Sequence, residues 1–266
     1  MKEQDLRILS YDRRRKIVEF VNSRKSVTVE DLIRNFPVSR MTVIRDLEKL
    51  DAEGFLNRVR GGAVALSNIV TAPRASESEK KISDEQVRIG KEAVKRIRDG
   101  DFLIIESGST CMALANQLHS RNNLKIVTAS PHIGVRLAEI AEQFDRNFEI
   151  ILSGGILNVY RHFLLGPIAL AVFENIKVDT AFVSATAVDM EGGITADDLH
   201  ESAVTKIILE KCAKKVIGLI TSLKFGRTSF YKVGDIDLLD EIITDSGVGD
   251  ETVRQLTKRG IRVTVA

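Results

Sequence analysis

Ser39, Arg40, Thr42 and Arg45, followed by Arg58 and Arg60, put two hydroxyls and four guanidinium groups into 22 residues. A guanidinium is always charged and presents forked N–H donors to phosphate oxygens or to the O6/N7 edge of guanine, so this density points to a nucleic acid. A second constellation begins at Glu106-Ser107-Gly108-Ser109-Thr110, where small and hydroxyl residues follow an apolar run. Such a turn at a helix start offers hydroxyls and free backbone N–H groups to a phosphate. Thr128 with Ser130, Gly154 with Gly155, and Asp189, Gly193 and Thr195 sit in further loops after apolar runs. Asp198, Glu201 and Lys206 could supply acid, base and cation, while Lys224 and Arg227 add two positive charges. Together these suit an effector that is a small polyhydroxylated phosphate ester. No nucleophile with a matched base accompanies them, so binding rather than catalysis is expected. Neither GxGxxG nor GxxxxGK[ST] follows a strand, which argues against a nucleotide cofactor. The two cysteines and four histidines are scattered without ligand spacing, so no metal is expected and Cys111 and Cys212 read as buried thiols.

The elements that must position the arginines are legible. Thr28 caps a helix with Val29, Leu32, Ile33 and Phe36 on one face, Val27 and Leu32 forming a staple, and Pro37 stops it. Ser39 caps the next helix, in which Val43, Leu47 and Leu50 line the buried face while Thr42 and Arg45 project away. Gly54 ends that helix. Phe55 to Val64 then alternates around a Gly61-Gly62 turn, a short hairpin with Arg58 and Arg60 on one side. Helix, turn, helix and basic hairpin make a winged helix-turn-helix. Arg40, Thr42 and Arg45 are its expected base-reading surface. Arg58, Arg60 and the run Arg13 to Lys16 are expected on phosphates, with a solvated helix face as the alternative for the run.

Residues 67–83 mix Ser, Ala, Pro and charge without a hydrophobic period and read as a linker between a 1–66 head and an 84–266 domain. In the latter, Asp84 to Arg98 reads as a helix. Apolar strands are expected at Phe102 to Ile105, Leu124 to Thr128, Phe148 to Leu152, Thr180 to Val183, Val216 to Ile220, Glu241 to Thr244 and Arg262 to Val265. Strands alternating with helices mean βαβ units and a mostly parallel sheet, an α/β domain whose ligands sit at the carboxyl ends of its strands.

Charge follows the same division. Residues 1–66 hold 14 of the 39 Lys and Arg against 10 of the 37 Asp and Glu, net +4; the rest hold 25 and 27, net −2. A basic head on a near-neutral body is the footprint of a phosphate-binding module joined to something else. The chain is 44% apolar and 29% charged, ordinary for a soluble protein. The longest apolar candidate, Leu164 to Phe173, contains Gly166 and Pro167 and falls short of the ~20 residues a membrane span needs. With a charged N-terminus lacking an apolar signal region, the expectation is a cytoplasmic protein without membrane contact.

PVSRMTVIRDLEKLDAEGFLNRVRGGAV (37–64) resembles the helix-turn-helix signature of the DeoR family of bacterial transcriptional regulators. SGGIL, GP, DTAF, GGIT and KFGR are similar to landmarks of that family's sensor domain, in family order. The resemblance covers nearly the full chain. It implies a repressor of sugar-metabolism genes with a C-terminal domain similar to ribose-5-phosphate isomerase in fold, which binds a phosphorylated sugar and thereby changes its grip on double-stranded operator DNA. The chain departs from the family pattern at several positions. Ile44 replaces the first of two adjacent arginines, exchanging a polar contact for an apolar one, such as to a thymine methyl. Glu106 stands for Asp, and Ser109, Cys111, Ala129, Ser184, Ala187 and Thr221 also differ. One small head buries only ~600 to 1,000 Å² on DNA, so a homo-oligomer, dimer or tetramer, is expected. Two alternatives are a sugar-phosphate isomerase-like enzyme fused to a DNA-binding head, and an architectural DNA binder whose body only oligomerises.

Overall fold

The computed structural model describes residues 10–53, 55–59, 61–66, 82–159 and 161–266. The chain divides into two compact units, one within residues 1–71 and one within 72–266. Gly54 and Arg60, assigned above to a helix stop and to the hairpin, lie outside the described residues, as do 67–81 of the expected linker.

The first unit runs α1 (Ser10–Arg24), β1 (Ser26–Thr28), α2 (Val29–Asn35), α3 (Arg40–Ala52), β2 (Leu56–Val59) and β3 (Gly62–Ala65). Thr28 makes a full capping box: its Oγ1 accepts from Asp31 N at 3.1 Å, and its own N donates to Asp31 Oδ2 at 3.0 Å. Ser39 Oγ accepts from Thr42 N at 3.2 Å to start α3. The two caps fix where α2 and α3 begin, each worth ~1 kcal/mol, and Ser39 also closes the tight turn between them. Val27 and Leu32, the staple pair, are both buried. The strands form an antiparallel sheet in the order β1-β3-β2. Gly62 is needed where β3 meets β1, because a Cβ there would lie 2.0 Å from Val27 O. The core under the helices is Ile17, Val18, Val21, Leu32, Leu47 and Leu50. Helix α1 and strand β1 are additions to the sequence reading. Ile17, Val18 and Val21 mark the buried stripe of α1, but flanking arginines dilute its apolar signal.

The second unit contains a seven-stranded parallel sheet in the order β15-β14-β12-β9-β4-β5-β6. Its strands are β4 (Phe102–Ile105), β5 (Leu124–Thr128), β6 (Phe148–Leu152), β9 (Val178–Val183), β12 (Ala213–Leu219), β14 (Glu241–Thr244) and β15 (Arg262–Val265). All seven expected strands are present, and the mostly parallel α/β class stands. Alternate residues feed two apolar layers: Ile104, Val127, Ala181 and Ile242 belong to one, Leu103, Ile126, Phe182 and Ile243 to the other. Helices α4 (Asp84–Ala93), α5 (Ser109–Ala115), α6 (Pro131–Phe144), α7 (Pro167–Glu174), α8 (Leu199–Ile207) and α9 (Asp250–Lys258) connect the strands. The helix expected to reach Arg98 is regular only to Ala93 and tightens into a 3₁₀ turn over Val94–Arg96. Antiparallel additions are the pair β7 (Ile156–Asn158) and β8 (Phe163–Leu165), and a sheet of β10 (Ala187–Asp189), β11 (Gly193–Ala196) and β13 (Tyr231–Gly234).

Strand order fixes where a ligand can enter. From β4 the chain builds outward through β5 and β6, then returns to lay β9 on the other side of β4. The winding therefore reverses between β4 and β9, and the crevice outside their carboxyl ends is the topological switch point of the sheet.

Candidate functional site

On the head, Val43, Asp46, Leu47 and Leu50 of α3 are buried. At 100° per residue, the opposite stripe holds Met41, Arg45 and Glu48, all exposed. Arg45 is exposed and has no ion-pair partner among the described residues. The other expected contacts are already engaged. Thr42 Oγ1 lies 2.9 Å from the capping Ser39 Oγ. Arg40 pairs with Glu30 at 2.6 Å, and its hydrogen bond draws the Glu30 carboxyl below the usual range. Arg58 pairs with Glu48 at 3.4 Å, and its backbone N donates to Asp51 Oδ1 at 2.8 Å. The Arg40 and Arg58 pairs are solvent-exposed and exchangeable, because surface ion pairs contribute little and phosphate competes for them.

The run Arg13 to Lys16 divides instead of facing solvent as a block. Arg13 Nε donates to Asp46 Oδ2 at 2.6 Å, Arg14 lies 3.7 Å from Asp46 Oδ1, and Arg15 lies 3.8 Å from Glu19. Of the four, Lys16 is the exposed one. Neither a phosphate row nor a solvated face describes Arg13 and Arg14, which fasten α1 to the helix carrying Arg45.

In the second unit, Glu106 directly follows β4 and Ser184 directly follows β9. Ser184 N donates to Glu106 Oε2 at 3.0 Å across the switch point, and the Thr205 hydroxyl of α8 donates to the other carboxylate oxygen. Lys224 Nζ donates to Ser184 Oγ at 3.2 Å and to Ala185 O. Beside them, Ser107 Oγ donates to Glu201 Oε1 at 3.4 Å, and Arg161 reaches Glu201 Oε2 at 3.9 Å while pairing with the fully buried Asp197. Three carboxyls and two cations thus form one largely buried cluster at the switch point. Burial pushes Glu106 up to about 7, against the hydrogen bonds from Thr205 and Ser184 and the charge of Lys224. Glu201 goes up to about 8: loss of water leads, Arg161 opposes it, and Asp197 and Glu106 add to it. Its side chain nevertheless keeps 21% of its surface exposed, so it meets solvent where Glu106 does not. Burial lowers Lys224 in spite of its acidic neighbours. Arg161 is raised because Asp197 and Glu201 outweigh its burial. A crevice with partly protonated carboxyls, an ammonium and hydroxyls can both accept from and donate to a polyhydroxylated molecule.

Other expected effector contacts have structural work. Ser109 Oγ and Thr110 Oγ1 receive Gln86 Nε2 at 2.6 and 3.4 Å, and Thr110 is wholly buried. Thr128 Oγ1 donates to Glu106 O at 3.1 Å and accepts from Ser130 N at 3.0 Å, while Ser130 Oγ accepts from Ile133 N to cap α6. Asp189 Oδ1 accepts from Glu191 N and Gly192 N in the β10–β11 turn. Thr195 Oγ1 accepts from Ser229 N at 2.9 Å. Asp198 caps α8 through His200 N and Glu201 N. Gly155 and Gly193 permit close backbone approach, with Cβ positions 2.3 Å from Leu165 O and 2.4 Å from Gly234 O. Gly108 and Gly154 line the carboxyl edge, Gly108 beside Ser184 and Gly154 beside Ile168. Lys206 is exposed on α8, 3.8 Å from Glu210, with no contact to the cluster. Arg227 is half-buried, and its backbone N donates to Val188 O at 3.4 Å.

Ser107 falls within the sequence constellation and Ser184 among the departures from the family pattern, whereas Arg161, Asp197 and Thr205 carry no sequence signal that places them in the cluster. Asp197-Asp198 offers two acids side by side, and only the α8 start decides which becomes cap and which is buried. Arg161 lies between two short strands with no periodicity to place it.

A winged helix-turn-helix head with a free arginine on its outward helix face, joined to an α/β unit with a charged crevice at its switch point, defines a DNA-binding regulator with a sensor domain. The DeoR-like helix-turn-helix domain matches residues 13–68, and the DeoR C terminal sensor domain matches 81–246. The chain belongs to the DeoR family of transcriptional regulators. Its relatives include the HTH-type transcriptional regulator GolR of Listeria innocua, 28% identical over 96% of this chain and 98% of that protein. The glycerol-3-phosphate regulon repressor of Escherichia coli is 28% identical over 93% and 95%. A ribose 5-phosphate isomerase A from Neisseria gonorrhoeae is 15% identical, with a TM-score of 0.36 over 53% of each chain. No described helix is long and apolar enough to cross a membrane.

Proposed function

We propose that this regulator is a cytoplasmic repressor whose hold on operator DNA is released by a phosphorylated sugar or polyol bound in the crevice between β4 and β9. The observation that carries the reading is Glu106, which gathers Ser184, Thr205 and Lys224 at the one place where the sheet reverses its winding. A ligand there touches loops from both halves of the sheet at once, and so favours one arrangement of them over another. Glu201, Ser107 and Lys224 hold the hydroxyl-bearing part, and Gly108, Gly154 and Arg227 border it. The E. coli relative is named for a glycerol-3-phosphate regulon, which supports a small phosphate ester as ligand class. On DNA, Arg45 reads bases and Arg58 and Arg60 hold phosphates; of the other two residues expected on the base-reading surface, Thr42 stays with the cap and Arg40, off the outward stripe and in an exposed pair with Glu30, joins the phosphate contacts. Residues 1–66 are the head, 67–83 the linker and 84–266 the sensing and oligomerising domain. Two heads act together as a dimer or tetramer, since one module alone covers too little DNA.

The test is thermal unfolding of the full chain with sn-glycerol 3-phosphate, ribose 5-phosphate, fructose 6-phosphate and their unphosphorylated counterparts. A ligand selective for the native state at 100 times its Kd adds ~2.7 kcal/mol. At least one phosphorylated compound raises the midpoint and its unphosphorylated form does not. No shift with any of a broad panel of sugar and polyol phosphates contradicts the reading.

A further inference from the structure

Among the described residues of the head, the exposed large apolar side chains are Met41 and Val59. Met41 lies in the first turn of α3 and is 57% exposed. It sits on the same outward stripe as Arg45, four residues on, directly opposite buried Val43 and Leu50. Its neighbours differ in place or charge: Ser39 and Thr42 serve the cap, Arg40 lies about 100° around the helix from Met41 in an exchangeable surface pair with Glu30, and Glu48 is an acid paired with Arg58. Ile44, the apolar departure that the sequence marks for a thymine contact, is only partly exposed at the side of the helix.

We propose that Met41 is a specificity-determining residue that works as a pair with Arg45: Met41 covers the C5-methyl of a thymine and Arg45 bonds the O6/N7 edge of a guanine on the major-groove floor. The partner is duplex DNA on grounds of charge, because the head carries net +4 and Arg45 stands next to Met41 without an acid of its own. Recognition helices of this class enter the major groove with their N-terminal residues on base edges, which is where Met41 lies. Four helical residues rise ~6 Å, against ~3.4 Å per base pair, so the two contacts fall about two base pairs apart. A methionine side chain is long, unbranched and apolar, suited to a methyl group, with no hydrogen-bond donor and only a weak acceptor for a polar edge. The inference rests on the DNA-binding reading and on the described geometry of α3.

The test uses the full chain and an operator selected from a randomised duplex pool. Each thymine is then replaced by deoxyuridine, which lacks only the methyl, and each guanine by 7-deazaguanine, which lacks the N7 acceptor. Affinities at fixed salt are compared for the unaltered protein, M41A, M41L and R45A. Burying one methyl is worth about fourfold. One deoxyuridine position therefore weakens the unaltered protein and M41L three- to fivefold and leaves M41A unaffected. One 7-deazaguanine position about two steps away weakens all but R45A. A deoxyuridine penalty of equal size in M41A, or no sensitive thymine at all, overturns the role of Met41 while leaving DNA binding intact. Failure to select or bind any duplex overturns both this inference and the reading beneath it. Because Met41 is exposed, M41A keeps the thermal midpoint of the unaltered chain, and M41L controls for helix content.

Discussion

Arg13 of α1 donates to Asp46 of α3 at 2.6 Å, and Asp46 is almost fully buried directly beside the exposed Arg45. A carboxylate in that position needs partners, and Arg13 with Arg14 supplies them. The pairing fixes how far α3 is turned about its axis, and with it where Arg45 points.

Removing that carboxylate leaves two guanidiniums crowded against an apolar core. Asp46→Ala is expected to destabilise the head by about 2 to 4 kcal/mol, read as a lowered urea midpoint of the full chain. Asp46→Asn, which keeps shape without charge, costs less. A midpoint unchanged in Asp46→Ala makes the pair dispensable.

Arg45 and Arg58 differ in kind. Arg45→Ala lowers the preference for operator over unrelated duplex by about 1 to 3 kcal/mol, whereas Arg58→Ala weakens every duplex alike and reduces the salt slope by about 1. Equal loss on all sequences from Arg45→Ala assigns that residue to the backbone instead.

The raised carboxyls give the second unit a pH signature. A carboxyl held above its unfolded value binds its proton more tightly when folded, so its favourable contribution is complete below the unfolded value and fades as pH rises. For Glu106 the fading runs from about 4.5 to about 7, and for Glu201 from about 4.5 to about 8. Glu201→Gln is therefore expected to gain thermal stability relative to the unaltered chain between pH 5 and 8. A difference between the two that stays flat across that range contradicts the assignment.

Position along α8 separates two residues that the sequence groups together. Glu201 faces the crevice, and Lys206 faces solvent beside Glu210. Lys206→Ala should leave the sugar-phosphate thermal shift within error, and Glu201→Gln should change it several-fold. Loss of the shift in Lys206→Ala would place the ligand on the outer face of α8.

What the sequence made legible follows from how locally each feature is determined. Caps and turns announce themselves, as Thr28 with Asp31 and Ser39 with Thr42 do, because donor and acceptor lie three residues apart. Interior parallel strands buried on both faces read as apolar runs, and the half-exposed edge strands β6 and β15 still carry enough Phe, Ile and Val to be recognised. The crevice is different. Glu106 is visible because it directly follows an apolar strand, but Thr205 is 99 residues away from it and Ser184 is 78 away, and only the strand order brings them together. Hydroxyls such as Thr110, Thr128 and Thr195 fall in the right segments of the chain, yet they bond Gln86, the Glu106 and Ser130 backbone and the Ser229 backbone, and residue type alone does not separate those roles. The same holds for Arg13 and Arg14, whose partner Asp46 lies on another helix.

The central claim is that a basic head grips duplex DNA under control of a ligand in the crevice. It is tested most directly by titrating a labelled selected operator with the full chain, with and without the sugar phosphate that raises thermal stability. The account predicts binding at low salt that weakens steeply as salt rises, and a further loss of affinity, tenfold or more, when the phosphorylated ligand is present and not when its unphosphorylated form replaces it. No binding to any duplex at low salt, or superimposable curves with and without the ligand, contradicts it.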